Sequence, residues 1–362
     1  MPYNPSQPYN ELPDLPQQAG FMDEELSRLI LITSRSLAEL KGLCVAIPDP
    51  QILIQMLVVQ ESRESSAIEN IVTTKDELYQ AMSELEIDDG PAKEVLRYRE
   101  ALYAGLKQMQ ETKNIITTNT LIEIVRKIKN NDAGLRNQPG TVLKNGAGQV
   151  VYTPPCCEDV VREKMSGLER FINENEGSVI DPLLKMAMIH YQFEAIHPFA
   201  DGNGRTGRIL NLLFLVQQDL LTLPVLYLSE YINNYKTEYY RLLREVTEGG
   251  NWKAWCVYIL RAVHETALLT IGKIRDMRSL MQELEPKMKE VLGSGYDRAL
   301  LDLMFTIPYL KIELLERMGF GHRQTVSKYL NQLNAAGIVK EQKAGKTKYF
   351  INYRLLELFG TT

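Results

Sequence analysis

Apolar positions along most of this chain recur at spacings of three and four, the period of a helix that buries one face. Residues 23–40 carry Leu26, Leu29, Ile30, Thr33, Leu37 and Leu40 on that period, and the pattern stops near Gly42. Residues 48–60 open with a proline and continue through Ile52, Leu53, Met56, Leu57 and Val59, which predicts a well-buried helix. Thr74-Lys75-Asp76-Glu77 is a capping box opening a helix to about Leu85, and Asp88-Asp89-Gly90-Pro91 marks a turn. Residues 93–109 are amphipathic, and Thr118 is placed to cap a helix over 121–128. Helices follow over 158–173 and 182–196, separated by the polar run 175–178. Residues 209–216 are almost entirely apolar, so their helix belongs at the centre of the core. Residues 231–243, with Tyr235, Tyr239 and Tyr240, and then 251–274 and 275–292, extend the bundle.

The period changes in three places. Prolines at 2, 5, 8, 13 and 16 exclude a helix over residues 1–18 and predict an extended arm, with Tyr9, Leu12 and Leu15 available to anchor it. Residues 141–143 and 149–152 flank Asn145-Gly146, a hairpin signal. Beyond Gly293-Ser294-Gly295, read as a flexible joint, helices over 299–305, 311–317 and 323–336 surround a turn at Gly319–Gly321. Ile338-Val339 and Tyr349-Phe350-Ile351 then flank a basic stretch over 342–348. That order resembles a winged helix-turn-helix with 322–334 as its recognition helix. The fold class is therefore mostly α: a helical bundle with a small β-hairpin, plus a C-terminal winged helix-turn-helix. The expected segments are 1–110, 111–292 and 296–362.

Composition narrows the function. With 24% charged residues and a net charge of -5, the whole of this 362-residue chain is not an electrostatic nucleic-acid binder. Any such role is local: Arg323, Lys328, Lys340, Lys343, Lys346, Lys348 and Arg354 face only Glu341 among acids, so the C-terminal segment is compatible with DNA or with protein contacts. No run reaches about 18 uninterrupted apolar residues and no basic-then-apolar leader opens the chain, so no membrane role is expected. Four cysteines are too few for a disulfide scaffold, Cys156 and Cys157 are adjacent, and no C-x-x-C pair offers zinc ligands. A reducing cytoplasm is the expected setting.

The chemistry concentrates in HPFADGNGRTGR, residues 197–208, lying between two apolar helical segments. Glycines let backbone N–H groups approach an anion, and a helix N-terminus adds more such groups with a favourable dipole. Arg205 and Arg208, three apart, can grip one polyanion from the first helical turn. His197 stands where a general base is wanted, and Asp201 offers a carboxylate to a divalent cation bridging to phosphate oxygens. Gly202, Gly204 and Gly207 match the dinucleotide fingerprint G-x-G-x-x-G, but that fingerprint has meaning only after a strand. Here Leu184, Met188, Tyr191 and Ala195 ahead of it are spaced as a helix. No Gly-Lys-Ser/Thr follows, which also excludes a Walker loop. His190 is read as a satisfied helix histidine, since no metal set surrounds it.

His197, Phe199, Asp201, Gly202, Asn203, Gly204, Arg205 and Arg208 fill the HxFx(D/E)GNGRxxR signature, and the chain resembles Fic-domain proteins. That resemblance implies a Fic helical core and a nucleotidyltransferase moving AMP from ATP, with Mg2+, to a Tyr, Thr or Ser hydroxyl of a target protein. His197 would be the base. Gly202, Asn203, Gly204, Arg205, Thr206, Gly207 and Arg208 would hold the phosphates, Asp201 the metal, and Asn234 or Tyr235 the adenine. Gly204 departs from the kinase-like variant, which has lysine there. Ser65, Glu69 and Asn70 fit the (S/T)xxxE(G/N) inhibitory motif, which implies that Glu69 pairs with Arg208 as a built-in brake and leaves open an AMP-removing activity. Val150, Val151, Tyr152 and Thr153 would form a flap that docks the target by strand addition. Relatives that use dimers to position the brake leave room for a homodimer. The alternative is a transcriptional regulator whose core only senses nucleotide.

Overall fold

A computed structural model describes residues 3–15, 22–45, 50–84, 90–174, 180–344 and 347–360. The turn at 88–89, the run 175–178, the tip of the basic stretch at 345–346 and the side chains of Ile52 and Leu53 lie outside the described residues. Helical periodicity is realised in α1 (Glu24–Val45), α2 (Pro50–Ile68), α3 (Lys75–Met82), α4 (Pro91–Glu111) and α5 (Thr118–Lys129). The capping box at Thr74 is complete, with Thr74 accepting from Glu77 N–H and the Glu77 carboxylate accepting from Thr74 N–H. One cap is displaced: Thr117, not Thr118, caps α5, exchanging hydrogen bonds with Thr120, while Thr118 is held by the Glu169 carboxylate at 2.7 and 2.8 Å.

The hairpin follows as β1 (Leu143–Lys144) and β2 (Val150–Tyr152), antiparallel, with Leu143 opposite Tyr152 and Lys144 opposite Val150. Its tip is not a two-residue Asn-Gly turn. The Asn145 side chain accepts from the Ala147 and Gln149 N–H groups, and Gly148 takes the positive φ of 78°, so the loop spans Asn145 to Gln149.

The core is organised around α6 (Glu158–Asn173), α7 (Pro182–Ile196) and α8 (Asn203–Gln217). Residues of α7 from Leu183 to Ile196 are buried on every side except at Glu194, as expected of a helix that is apolar all round. Gly207 lets α8 press onto α7: a Cβ there would stand 3.0 Å from Phe193 Cδ1. His190 is buried, stacked on Trp255 and bonded through Nε2 to Tyr239 at 2.9 Å, and burial pushes its pKa down to about 3. Nε2 is satisfied as the sequence implied, whereas Nδ1 is buried without a hydrogen-bond partner.

Two helical expectations are corrected. The single helix over 231–243 is instead α9 (Leu228–Asn234) and α10 (Lys236–Gly249), broken at Tyr235, whose ring packs on Tyr231 at 4.6 Å. Conversely, the helices over 251–274 and 275–292 are one 41-residue helix, α11 (Trp252–Leu292), which passes through Pro286. Its buried stripe from Trp255 through Ile259, Val263, Ile274 and Leu284 is continuous, so no break is forced. Among described helices α11 is long and apolar enough to cross a bilayer, but that face is buried within the bundle.

The glycine joint is a short 3-10 turn rather than a loose linker, and Tyr329 packs so close to Gly295 that a Cβ there would lie 2.6 Å from its hydroxyl. Beyond it come α12 (Arg298–Thr306), β3 (Tyr309–Leu310), α13 (Ile312–Arg317), α14 (Arg323–Ala335), β4 (Lys340–Ala344), β5 (Thr347–Ile351) and α15 (Tyr353–Leu358). The antiparallel order is β3-β5-β4. The short β3 and α15 carried no sequence signal, and β4 begins at Lys340, just after the expected Ile338-Val339.

The arm is ordered but not simply extended, with turns closed by Gln7 N–H to Asn4 O and Leu12 N–H to Tyr9 O, both 3.1 Å. Leu12 is fully buried, Tyr9 and Leu15 are partly so, and Gln192 of α7 donates to Pro13 O at 2.9 Å.

Candidate active site

His197 ends α7 in a left-handed conformation (φ 50°, ψ 59°), and Gly202 opens α8 with φ 86°. Between these kinks the loop is tied by Asn203. Its Oδ1 accepts from Phe199 N–H and its amide donates to Phe199 O, both at 2.8 Å, while the Phe199 ring is fully buried. The expected phosphate contact of Asn203 is thus replaced here by a structural one. Arg136, which the sequence reading passed over, fixes the other side. Its guanidinium donates to His197 O at 2.7 Å, Ile196 O at 3.1 Å and Pro155 O. Burial, with Arg136 acting in the same direction, pushes the His197 pKa down to about 4, so the imidazole is neutral near pH 7 and able to accept a proton.

Arg208 lies in the first turns of α8 and is 1% exposed. Its Nε donates to Ser65 Oγ at 2.8 Å, and its Nη2 donates to Ser65 O at 2.8 Å and to Glu69 Oε1 at 2.9 Å. Burial alone would lower its pKa, but Glu69 and the surrounding acidic groups raise it, so the charge stays fixed. Ser65 and Glu69 therefore share the face their spacing implied. Asn70 ends the segment at φ 62°, a left-handed position that only Gly and Asn adopt readily, which explains why the motif accepts those two types. Glu69 reaches directly over Gly204: a Cβ at Gly204 would overlap its carboxylate. A carboxylate thus stands at the N-terminus of α8, where a helix favours an anion.

Arg205 is equally buried but pairs with Glu94 of α4 at 2.7 Å. Asp201 is exposed and bridged to Lys129 at 2.5 Å; burial opposes its ionisation, but Lys129 and the Gly202 N–H hold its pKa below the ordinary range. The Thr206 hydroxyl is buried without a partner. Glu194, three residues before His197, has a buried Oε1 without a hydrogen-bond partner, and burial pushes its pKa up to about 7. Asn234 and Tyr235 are exposed at the α9–α10 break, where the Tyr235 ring packs on Tyr231. From the same region Lys236 instead reaches the end of α2, donating to Ile68 O at 2.5 Å, and Tyr240 feels the charges of Glu69 and Arg208.

Tyr152 of the hairpin donates to Ala195 O at 2.7 Å, which places the flap beside the end of α7. Its outer edge is partly taken by the chain itself. Tyr9 N–H donates to Thr153 O at 3.0 Å, Thr153 Oγ1 donates to Pro5 O at 2.6 Å, and Tyr3 reaches Val151 O. Val150 and Val151 remain half-buried, whereas Thr153 is buried beneath the arm, so the expected docking stretch is shortened at that end.

Three family descriptions match successive parts of the chain: the Fic/DOC family N-terminal over residues 29–107, the Fic/DOC family over 115–215, and the protein adenylyltransferase SoFic-like C-terminal domain over 280–355. The chain belongs to the Fic family. It is 34% identical over 144 residues to protein adenylyltransferase fic-1 of Caenorhabditis elegans, covering 38% of this chain and 27% of that one. It is 25% identical over 166 residues to protein adenylyltransferase Fic of Nematostella vectensis, covering 44% of this chain and 36% of that one. These matches span about a quarter to a third of the relatives' length. A Fic family protein from Desulfovibrio desulfuricans G20 superposes with a TM-score of 0.59 at 19% identity, over 93% of this chain and 98% of that one. C. elegans Fic-1 gives 0.54 at 19% identity, over 69% and 74%. At that identity the likeness establishes the Fic fold, and the residue geometry bears on chemistry.

Proposed function

We propose that this Fic protein is a protein adenylyltransferase, described here with its brake engaged. One observation carries the reading: the Glu69 carboxylate occupies the N-terminus of α8 and binds Arg208, beside a neutral imidazole. Those partners are what a terminal phosphate of ATP would need. With Glu69 withdrawn, Arg208 meets the γ-phosphate and the amides of the α8 N-terminus receive the triphosphate. His197 then takes the proton of a Tyr, Thr or Ser hydroxyl on the target. The hydroxyl oxygen bonds to the α-phosphorus as the bond to the β-phosphate bridge breaks, and pyrophosphate departs. Catalysis is positioning and charge stabilisation, with Arg136 keeping the His197 turn rigid. Magnesium fits only as a shared ligand. Among the described residues no three His, Cys, Asp or Glu side chains form a metal cluster, so Asp201, released from Lys129, would hold it together with substrate phosphates, where it supplies charge neutralisation. The resemblance to inhibited Fic proteins also implies an AMP-removing activity in which Glu69 would orient a water. The relatives that match are named adenylyltransferases, and the regulator alternative finds no support among them.

The test is incubation with lysate and α-labelled ATP. Glu69→Gly is expected to raise labelling by at least about tenfold, because a paired carboxylate no longer competes for Arg208. His197→Ala in that background is expected to abolish labelling, a loss of about 10²-fold or more, while ATP binding persists. Unchanged labelling in Glu69→Gly removes the brake, and labelling that survives loss of the imidazole removes His197 as base.

A further inference from the structure

Cys156 and Cys157 take no part in the chemistry above, yet they are the cysteines that solvent reaches; Cys44 and Cys256 are buried. Their sulfurs lie 3.1 Å apart, and Cys157 is held at φ 69°, a left-handed conformation that costs a non-glycine residue free energy and persists only where surroundings impose it. The surroundings are specific. Asn10 of the arm accepts from Cys156 N–H at 2.8 Å and donates to its sulfur at 3.7 Å. The preceding carbonyl, Pro155 O, is one of the three bound by Arg136, and another is that of His197. A single buried guanidinium therefore links the thiol pair to the turn that carries His197.

We propose that Cys156 and Cys157 form a redox modification site, in which an oxidant of the hydroperoxide class closes a disulfide between adjacent residues and loosens the Arg136 anchor of His197. A disulfide needs its sulfurs at about 2.03–2.05 Å. The pair is already intramolecular, and because neighbouring Cα atoms stand closer than an ordinary disulfide spans, the closed ring is strained and readily reduced. The Cys156 contact holds the Cys157 thiol above its ordinary pKa, which fits Cys157 as the S–H donor of the pair. Arg136 lies close enough to interact with both sulfurs. The steps balance. Cys156 thiolate attacks one peroxide oxygen, the O–O bond breaks, and the leaving oxygen takes a proton to give water and a Cys156 sulfenic acid. Cys157 sulfur then attacks the Cys156 sulfur, and the hydroxyl leaves as water with the Cys157 proton. Two thiols are oxidised, one hydroperoxide is reduced, and a dithiol reverses the change. Drawing the sulfurs together twists the Pro155–Cys157 backbone, so Pro155 O leaves Arg136 and Asn10 loses its grip on Cys156.

The modification is read by mass and is independent of activity; only its consequence rests on the adenylyltransferase reading. The full chain is treated with hydrogen peroxide, free thiols are trapped with iodoacetamide, and peptides are mapped. The expected product is one peptide carrying a Cys156–Cys157 link, lost on treatment with dithiothreitol and absent from Cys157→Ser. Free, over-oxidised or intermolecularly bridged thiols overturn the site. Amide exchange over residues 196–198 is expected to quicken in the oxidised wild type and not in peroxide-treated Cys157→Ser; equal exchange overturns the coupling. Labelling by oxidised Glu69→Gly is expected to fall on the order of tenfold and recover with reductant. A mapped disulfide in a protein that never labels anything would refute the adenylyltransferase reading and leave the redox site standing.

Discussion

Arg208 faces two carboxylates of different standing. Glu69 is bonded to it and partly exposed, whereas Glu194 has a buried Oε1 without a partner and a pKa pushed up to about 7 by burial. A carboxyl whose folded pKa lies above its unfolded value keeps its stabilising proton below the unfolded pKa. It loses that contribution as pH rises through the folded value. Glu194 thus stabilises the protein fully below about pH 4.5 and progressively less towards pH 7 and above. Glu194→Gln, which keeps the shape without the charge, is expected to gain in melting temperature relative to wild type as pH rises from 5 to 8. A difference that stays flat with pH, measured by thermal unfolding, refutes a buried titrating carboxyl. Sequence spacing paired Ser65 with Glu69, and the signature nominated His197 and Arg208. Glu194 escaped notice because nothing local marks its burial, and Arg136 because the carbonyls it binds lie far along the chain.

At the scale of elements, the site depends on how closely α7 and α8 approach. Gly207 is the contact point, with an added Cβ 2.5 Å from Glu194 Oε1 and 3.0 Å from Phe193 Cδ1. Phe193 has no room to retreat, because it is fully buried in α7, although the end of the Glu194 side chain can shift. Gly207→Ala is expected to cost about 1–3 kcal/mol in urea unfolding through overpacking, despite the higher helix propensity of alanine. A stabilised variant would show that the helices can separate. This glycine belongs to the same apparent dinucleotide fingerprint set aside from sequence, and its role is close helix packing, without a strand or a βαβ unit.

At the scale of the whole molecule, the C-terminal segment grips the brake-bearing region. Lys311 and Tyr349 both meet Glu84, Tyr309 donates to Asp76 at 2.7 Å, and Lys75 of α3 donates to Phe359 O and to Gly360 O. Helix α3 is one short connection from Glu69, so the C-terminal segment packs against the element that follows α2. Glu84→Ala leaves Lys311, which is nearly buried, without its carboxylate and is expected to cost on the order of 1–3 kcal/mol. Faster amide exchange in α3 (Lys75–Met82) is the accompanying signature, and unchanged exchange would show that the grip lies elsewhere.

The chain by itself determined its helices, its hairpin and its signature loop, because periodicity, caps and a dense run of glycine and charged residues are local properties. It determined the residue pairs one helical turn apart for the same reason. Where a helix continues through Pro286 or breaks at Tyr235 was decided by tertiary packing, since burial of a continuous apolar stripe, or the contacts of Tyr258 in α11 with the Tyr231 ring and Tyr235 O, outweigh local propensity. Tertiary structure also decided that the arm covers the hairpin's edge and that Arg136 ties Pro155 to the His197 turn. Those are contacts between segments far apart in sequence, and only folding sets their distances.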